Sequence, residues 1–159
     1  MTHAFRTLSI ASLAVTILAA SAAALAQQAP KPEQLVKWRQ SAYQTVAWNS
    51  SRIKASVEGS YNKDDVVKAA TTIAAIANSG LGALFIPGTE QAKGWHETAV
   101  KPELFQDGKR VGEYAGNFSK EANELARLAA LGDPAAVKEQ FGKLNRTCKA
   151  CHDDFRNKD

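Results

Sequence analysis

From residue 32 onward apolar residues recur at spacings of three and four, and strand-type alternation is hard to find, so the pattern predicts an all-α chain. A first helix is predicted to start near Pro32, a residue suited to the first helical position, with Glu33 beside it to complement the dipole. Leu35, Trp38, Ala42, Tyr43, Val46, Ile53 and Val57 then mark one broad face, and Gly59 supplies the stop. A second helix is predicted from about Asp64 to Ser79, where Val66, Val67, Ala70, Ile73, Ala74 and Ala77 keep the spacing. The pattern breaks at Gly80. The stretch "LGALFIPGTEQAKGWHETAVKPE", with Pro87 and Pro102, reads as a long connection. A third helix is predicted from roughly Pro102 to Leu131, with Phe105, Val111, Tyr114, Phe118, Leu125 and Leu128 inward and Gly132 at its end. Asp133 can accept from the free amides of a fourth helix, and Pro134 presets its first dihedral. Val137, Phe141, Leu144, Cys148, Cys151, His152 and Phe155 follow down one side. Four long helices with short links, except after the second, predict an antiparallel four-helix bundle.

The first 26 residues stand outside that pattern. Arg6, an apolar stretch from about Leu8 to Leu18 and small residues ending Ala24-Leu25-Ala26 form a secretory signal peptide with an A-x-A cleavage site. A first transmembrane helix is the competing reading, but the core is short, Ala-rich and closed by a cleavage pattern. The expected organisation is therefore a signal peptide over residues 1–26 and one exported domain over 27–159, placed in the periplasm. The whole chain has 20 basic and 16 acidic residues, and the leader takes Arg6 with it. The charges are mixed rather than blocked, so no nucleic-acid or membrane partner is implied.

Only two cysteines occur in 159 residues, and both lie in "CKACHDDFR" near the C-terminus. An exported chain with two cysteines ordinarily reads as one disulfide, but Cys148, Cys151 and His152 stand at i, i+3 and i+4, on one side of a helix. C-x-x-C-H is the attachment motif for c-type haem. Two thiols add across the two vinyl groups of the porphyrin, and His152 is then held where a ring nitrogen can bind the iron. One haem c, covalently attached through Cys148 and Cys151, is the expected cofactor. A thioredoxin-like redox pair wants a βαβ setting that the helical pattern lacks. Zinc needs four ligands, and beyond this motif only His96 remains, in the long connection.

Haem on the last helix of a bundle resembles cytochrome c', the class II c-type cytochromes, in which the motif lies near the C-terminus. The resemblance rests on "KPEQLVKWRQSAY", "FIPGTE" and "CKACHDDFR", in the family's order, and covers nearly all of residues 27–159. It implies a haem whose function is decided by what faces the iron opposite His152. Electron-transfer members of class II use a first-helix methionine there. The only methionine here is Met1, so the exported domain has no thioether to offer.

The family's distal position falls on Tyr43. A tyrosine ligates ferric haem as phenolate, and with an unperturbed pKa of about 10 it stays neutral unless a base helps. Two readings stand open: a ring covering the vacant face, or ordinary core packing. The resemblance also implies that Arg39 and Gln40 meet the haem propionates, that Arg156 lies on the proximal side, and that Thr89 and Glu90 border the haem edge. Arg39 reads equally as a solvated helix face, and Arg156 as favourable charge at a helix C-terminus. His96 reads as a loop histidine. The function expected is a five-coordinate, high-spin haem that binds NO and CO, with a role in NO handling. The alternative is a six-coordinate electron carrier served by a redox partner protein. A haem peroxidase would need a distal acid–base residue, and none is evident, so no enzyme is implied. The family resemblance further implies a homodimer through the early helices, to which Trp48 is suited if exposed.

Overall fold

The computed structural model describes residues 29–158, so the signal peptide expected at residues 1–26 lies outside the described residues. Four helices follow in order: α1 (Pro32–Glu58), α2 (Lys63–Ala77), α3 (Gly108–Leu131) and α4 (Pro134–Phe155). They form the expected all-α four-helix bundle. Links of a few residues join α1 to α2 and α3 to α4, which makes each pair antiparallel, and each helix packs against the next. Among the described residues no helix is long and apolar enough to cross a membrane.

Side-chain caps set three of the four starts. Asn62 accepts from the Asp65 amide at 3.1 Å, Asp107 from that of Arg110 at 3.1 Å, and Asp133 from those of Ala135 and Ala136 at 2.9 and 3.4 Å. Two expected boundaries need correction. The third helix does not begin at Pro102: Pro102–Phe105 is a separate 3-10 turn, and α3 begins at Gly108 because the Asp107 carboxylate takes up its free amides. The second helix stops at Ala77 rather than Ser79, because the Asn78 side chain donates to the Ala74 carbonyl and Gly80, at φ +84°, turns the chain away.

The core lies where all four helices meet, built from Val46 and Ile53 of α1, Val66 to Ala74 of α2, Ala122, Leu125 and Ala129 of α3, and Val137, Phe141 and Leu144 of α4. The broad inward face expected of α1 is only partly inside. Leu35, Val36, Val46 and Ile53 are buried, whereas Trp38 and Tyr43 are 46% and 41% exposed. Both lie in the first half of α1, before the helix reaches that core.

The bundle is not uniform around its circumference. α1 and α4 touch along far less of their length than the other neighbouring pairs. The long connection crosses α1 at this end. At Gly94 an added Cβ would stand 2.3 Å from Gln40 Oε1 and 2.9 Å from Val36 Cγ1, so glycine permits the approach. The connection then runs antiparallel to the end of α4, with the Lys101 amide donating to the Phe155 carbonyl at 2.9 Å and the Asn157 amide to that of Ala99 at 2.8 Å.

Candidate functional site

Helical spacing brings Cys148, Cys151 and His152 together in the last two turns of α4. Both thiols are free and half-buried. Burial raises the pKa of both, and for Cys151 the nearby Asp154 carboxylate adds to the effect, so the sulfurs are neutral thiols at neutral pH. His152 is exposed, yet partial desolvation, reinforced by the Arg156 cation, lowers its pKa and favours neutral imidazole, the form that binds a metal. Among the described residues no group of three or more His, Cys, Asp or Glu side chains is gathered where it could hold a metal ion, as the zinc reading would require.

Tyr43, on α1, lies close enough to both cysteines to feel them. Desolvation first, then Cys151 and Cys148, push its phenol up to about 12, against a smaller opposing pull from Arg39. The phenol is thus neutral over the physiological range. Tyr43 is not a core residue. It is hemmed in by protein on several sides but remains 41% exposed, and its ring meets Phe85 edge-on at 6.4 Å.

Arg39, one turn before Tyr43, is 3% exposed, so it is not a solvated face. Its guanidinium donates to Thr89 Oγ1 at 2.9 Å and to the Leu84 carbonyl, the Thr89 carbonyl and Thr98 Oγ1 at 3.3 Å, and stacks 4.6 Å from the Phe85 ring centroid. Every one of these partners is neutral. Glu90 contributes only at longer range, while its carboxylate accepts from the Gly88 amide at 2.8 Å. Burial consequently lowers the Arg39 pKa. Thr89, also buried, donates its hydroxyl to the Ile86 carbonyl at 2.7 Å and so fixes the loop on Arg39.

Gln40 is committed at both ends of its amide. Oε1 accepts from the Trp95 amide at 2.7 Å, and Nε2 donates to the His96 carbonyl at 3.0 Å. His96 is an exposed loop histidine at this rim, as expected. Arg156 caps α4, its amide donating to the His152 carbonyl at 3.1 Å, and with His152, Asp153, Asn157 and Lys158 it lines a cavity of about 220 Å³. A second cavity, about 300 Å³, lies between α3 and α4 and contains none of the expected site residues.

Two sets of contacts have no signal in the sequence. Phe85 and Thr98 complete the surroundings of Arg39, and both come from the long connection, whose contacts no local spacing encodes. The Arg110–Tyr114–Asp154 cluster joins residues about 40 positions apart, each unremarkable alone.

A covalent haem fits this arrangement. A buried guanidinium without a carboxylate in ion-pair distance among the described residues suits an anion, which a haem propionate would supply. The sparse α1–α4 seam and the half-buried thiols facing Tyr43 suit a flat macrocycle between the two helices.

Comparison with known proteins agrees with that fit. The family model described as Cytochrome C' matches residues 34–156. A cytochrome c' of Rhodocyclus tenuis is 67% identical over 130 residues, covering 81% of this chain and 98% of that one. Among solved structures, a cytochrome c' with an unusual ligand-controlled dimer dissociation superposes with a TM-score of 0.78 at 47% identity, covering 81% of this chain and 98% of that one. Cytochrome c' of Alcaligenes xylosoxidans, at 27% identity, a TM-score of 0.71 and coverage of 81% and 98%, has been solved as a ferrous variant with bound NO. Another variant of it, at 28% identity, the same TM-score and coverage of 80% and 98%, holds carbon monoxide.

Proposed function

The chain belongs to the cytochrome c' family, and from that premise we propose that it is a periplasmic haem protein that binds NO and CO at an open iron position and serves in NO handling. One haem c is carried covalently on Cys148 and Cys151. When bound, it would supply an iron able to take a diatomic gas, and the His152 imidazole would hold that iron from α4. The side chains of this chain decide what else can reach it.

The observation that carries the reading is that, among the described residues, no methionine or charged tyrosine stands beside the cysteines as a sixth ligand. The sole methionine is Met1, and burial pushes the Tyr43 phenol up to about 12, which disfavours the phenolate form that a haem iron would bind. Tyr43 instead acts as a cover. Its ring, braced by Phe85, excludes water and bulky ligands while diatomic gases pass. Arg39 holds a propionate, with Thr89 and Thr98 orienting the guanidinium and Gln40 and Glu90 securing the loop around it. Arg156 screens the proximal side. The NO- and CO-bound structures of the Alcaligenes relative support the choice of ligands, and the relative named for ligand-controlled dimer dissociation supports a homodimer here. Exposed Trp48 of α1 is the anchor we assign to that contact.

Titration of the ferrous protein with CO, and separately with NO, tests the proposal by its absorption spectrum. Complete, saturable conversion with each gas is expected. A spectrum indifferent to both would show a sixth protein ligand and would make the protein an electron carrier.

A further inference from the structure

The end of a helix ordinarily leaves its last carbonyls without partners, and its final turn frays. The final turn of α4 is tied down instead. The His152 carbonyl accepts from the Arg156 amide at 3.1 Å, the Asp154 carbonyl from Lys101 Nζ at 2.9 Å, and the Phe155 carbonyl from the Lys101 amide at 2.9 Å. From the other side, Tyr114 Oη donates to the Asp154 carboxylate, and Arg110 Nη2 reaches the same oxygen at 2.6 Å. The Tyr114 ring also packs edge-on against Phe155, with centroids 6.1 Å apart, and Phe155 is buried. α3 and the long connection therefore grip one turn between them. That turn carries His152.

The Asp154 side chain is 28% exposed and that of Arg110 52% exposed, and ion pairs this open add little to stability. The consequence of the grip is geometrical. An axial histidine is only as well aimed as the backbone that bears it, and partners beyond the ligand itself commonly set its orientation. We propose that Asp154, held by Tyr114 and Arg110 of α3, is a positioning residue for His152, fixing the last turn of α4 so that the imidazole keeps one stance toward the haem iron. This rests on His152 being the axial ligand. It assigns to Arg110, Tyr114 and Asp154 a role in setting how firmly the His152 imidazole would be held toward the iron.

Two readouts on the haem-bearing protein test it: the iron–histidine stretching band of the ferrous form by resonance Raman, and hydrogen exchange of the amides of residues 153–158. Asp154→Ala removes both partners. Tyr114→Phe removes one hydroxyl while keeping the ring on Phe155, so it retains the fold if the first variant does not. Asp154→Asn keeps an oxygen that can accept from Tyr114. The expected result is a displaced or broadened band and several-fold faster exchange in Asp154→Ala and Tyr114→Phe, with the band restored in Asp154→Asn. Parent-like bands and exchange in the first two variants would overturn the positioning role and leave His152 as ligand. A parent protein with no iron–histidine band would overturn the ligand assignment itself, and the positioning role with it.

Discussion

A guanidinium withdrawn from water needs negative charge or many acceptors, and among the described residues Arg39 is bonded to neutral groups alone: two threonine hydroxyls, two carbonyls and the face of Phe85. Tyr43, one turn on, makes the complementary statement, a phenol too poor in charge stabilisation to ionise near neutrality. Deprotonation of a group raised this far lies well above the ordinary tyrosine value of about 10. The neutral form therefore persists below about 12, and the phenol is neutral at physiological pH. Tyr43→Ala is expected to speed CO association about tenfold, the consequence of removing about 1.4 kcal/mol from an entry barrier. Flash photolysis checks this, and equal rates in variant and parent would mean that the ring does not guard the iron. The haem motif is legible in the sequence because attachment chemistry demands fixed spacing. The status of Arg39 is not, because whether a helix arginine is solvated or buried depends on a loop, 84–98, that packs over it from elsewhere in the chain.

At the scale of elements, the helices announce themselves through period and caps. Asp133 with Pro134 starts α4 where the sequence indicates, and Gly132, at φ +87°, ends α3 in the left-handed conformation that glycine tolerates. Asp133→Ala removes the acceptor for two amides and is expected to cost about 1 kcal/mol of stability, read from the urea midpoint. An unchanged midpoint would show that solvent caps the helix equally well. The start of α3 departs from the expectation because Pro102 carries the same signal as a helix N-terminus and yet opens a 3-10 turn. Proline fixes one dihedral at a start and leaves the length of the helix open. Trp38 and Tyr43 fall outside the expected core for a comparable reason: periodicity marks a face, but not what the face meets, and in the first half of α1 it meets the long connection and solvent rather than packed helices.

At the scale of the whole molecule, all four helices contribute to one core, while α1 and α4 touch along far less of their length than the other neighbouring pairs, and the long connection packs on Arg39 and Gln40 of α1 and on the end of α4. Trp48, 61% exposed with Arg52 stacked 4.8 Å from its ring, is the most exposed of the large apolar side chains of α1. If it anchors a homodimer, Trp48→Asp should weaken association at least about thirtyfold, since a central tryptophan is worth about 2 kcal/mol. Sedimentation would show this, and an unaltered dimer would place the interface elsewhere. The proposed gas binding requires an iron with one protein ligand and an open face. Electron paramagnetic resonance of the ferric haem-bearing protein at neutral pH reads it directly. A high-spin signal is the expected result, and a low-spin signal would mean that a second side chain holds the iron, contradicting the gas-binding function.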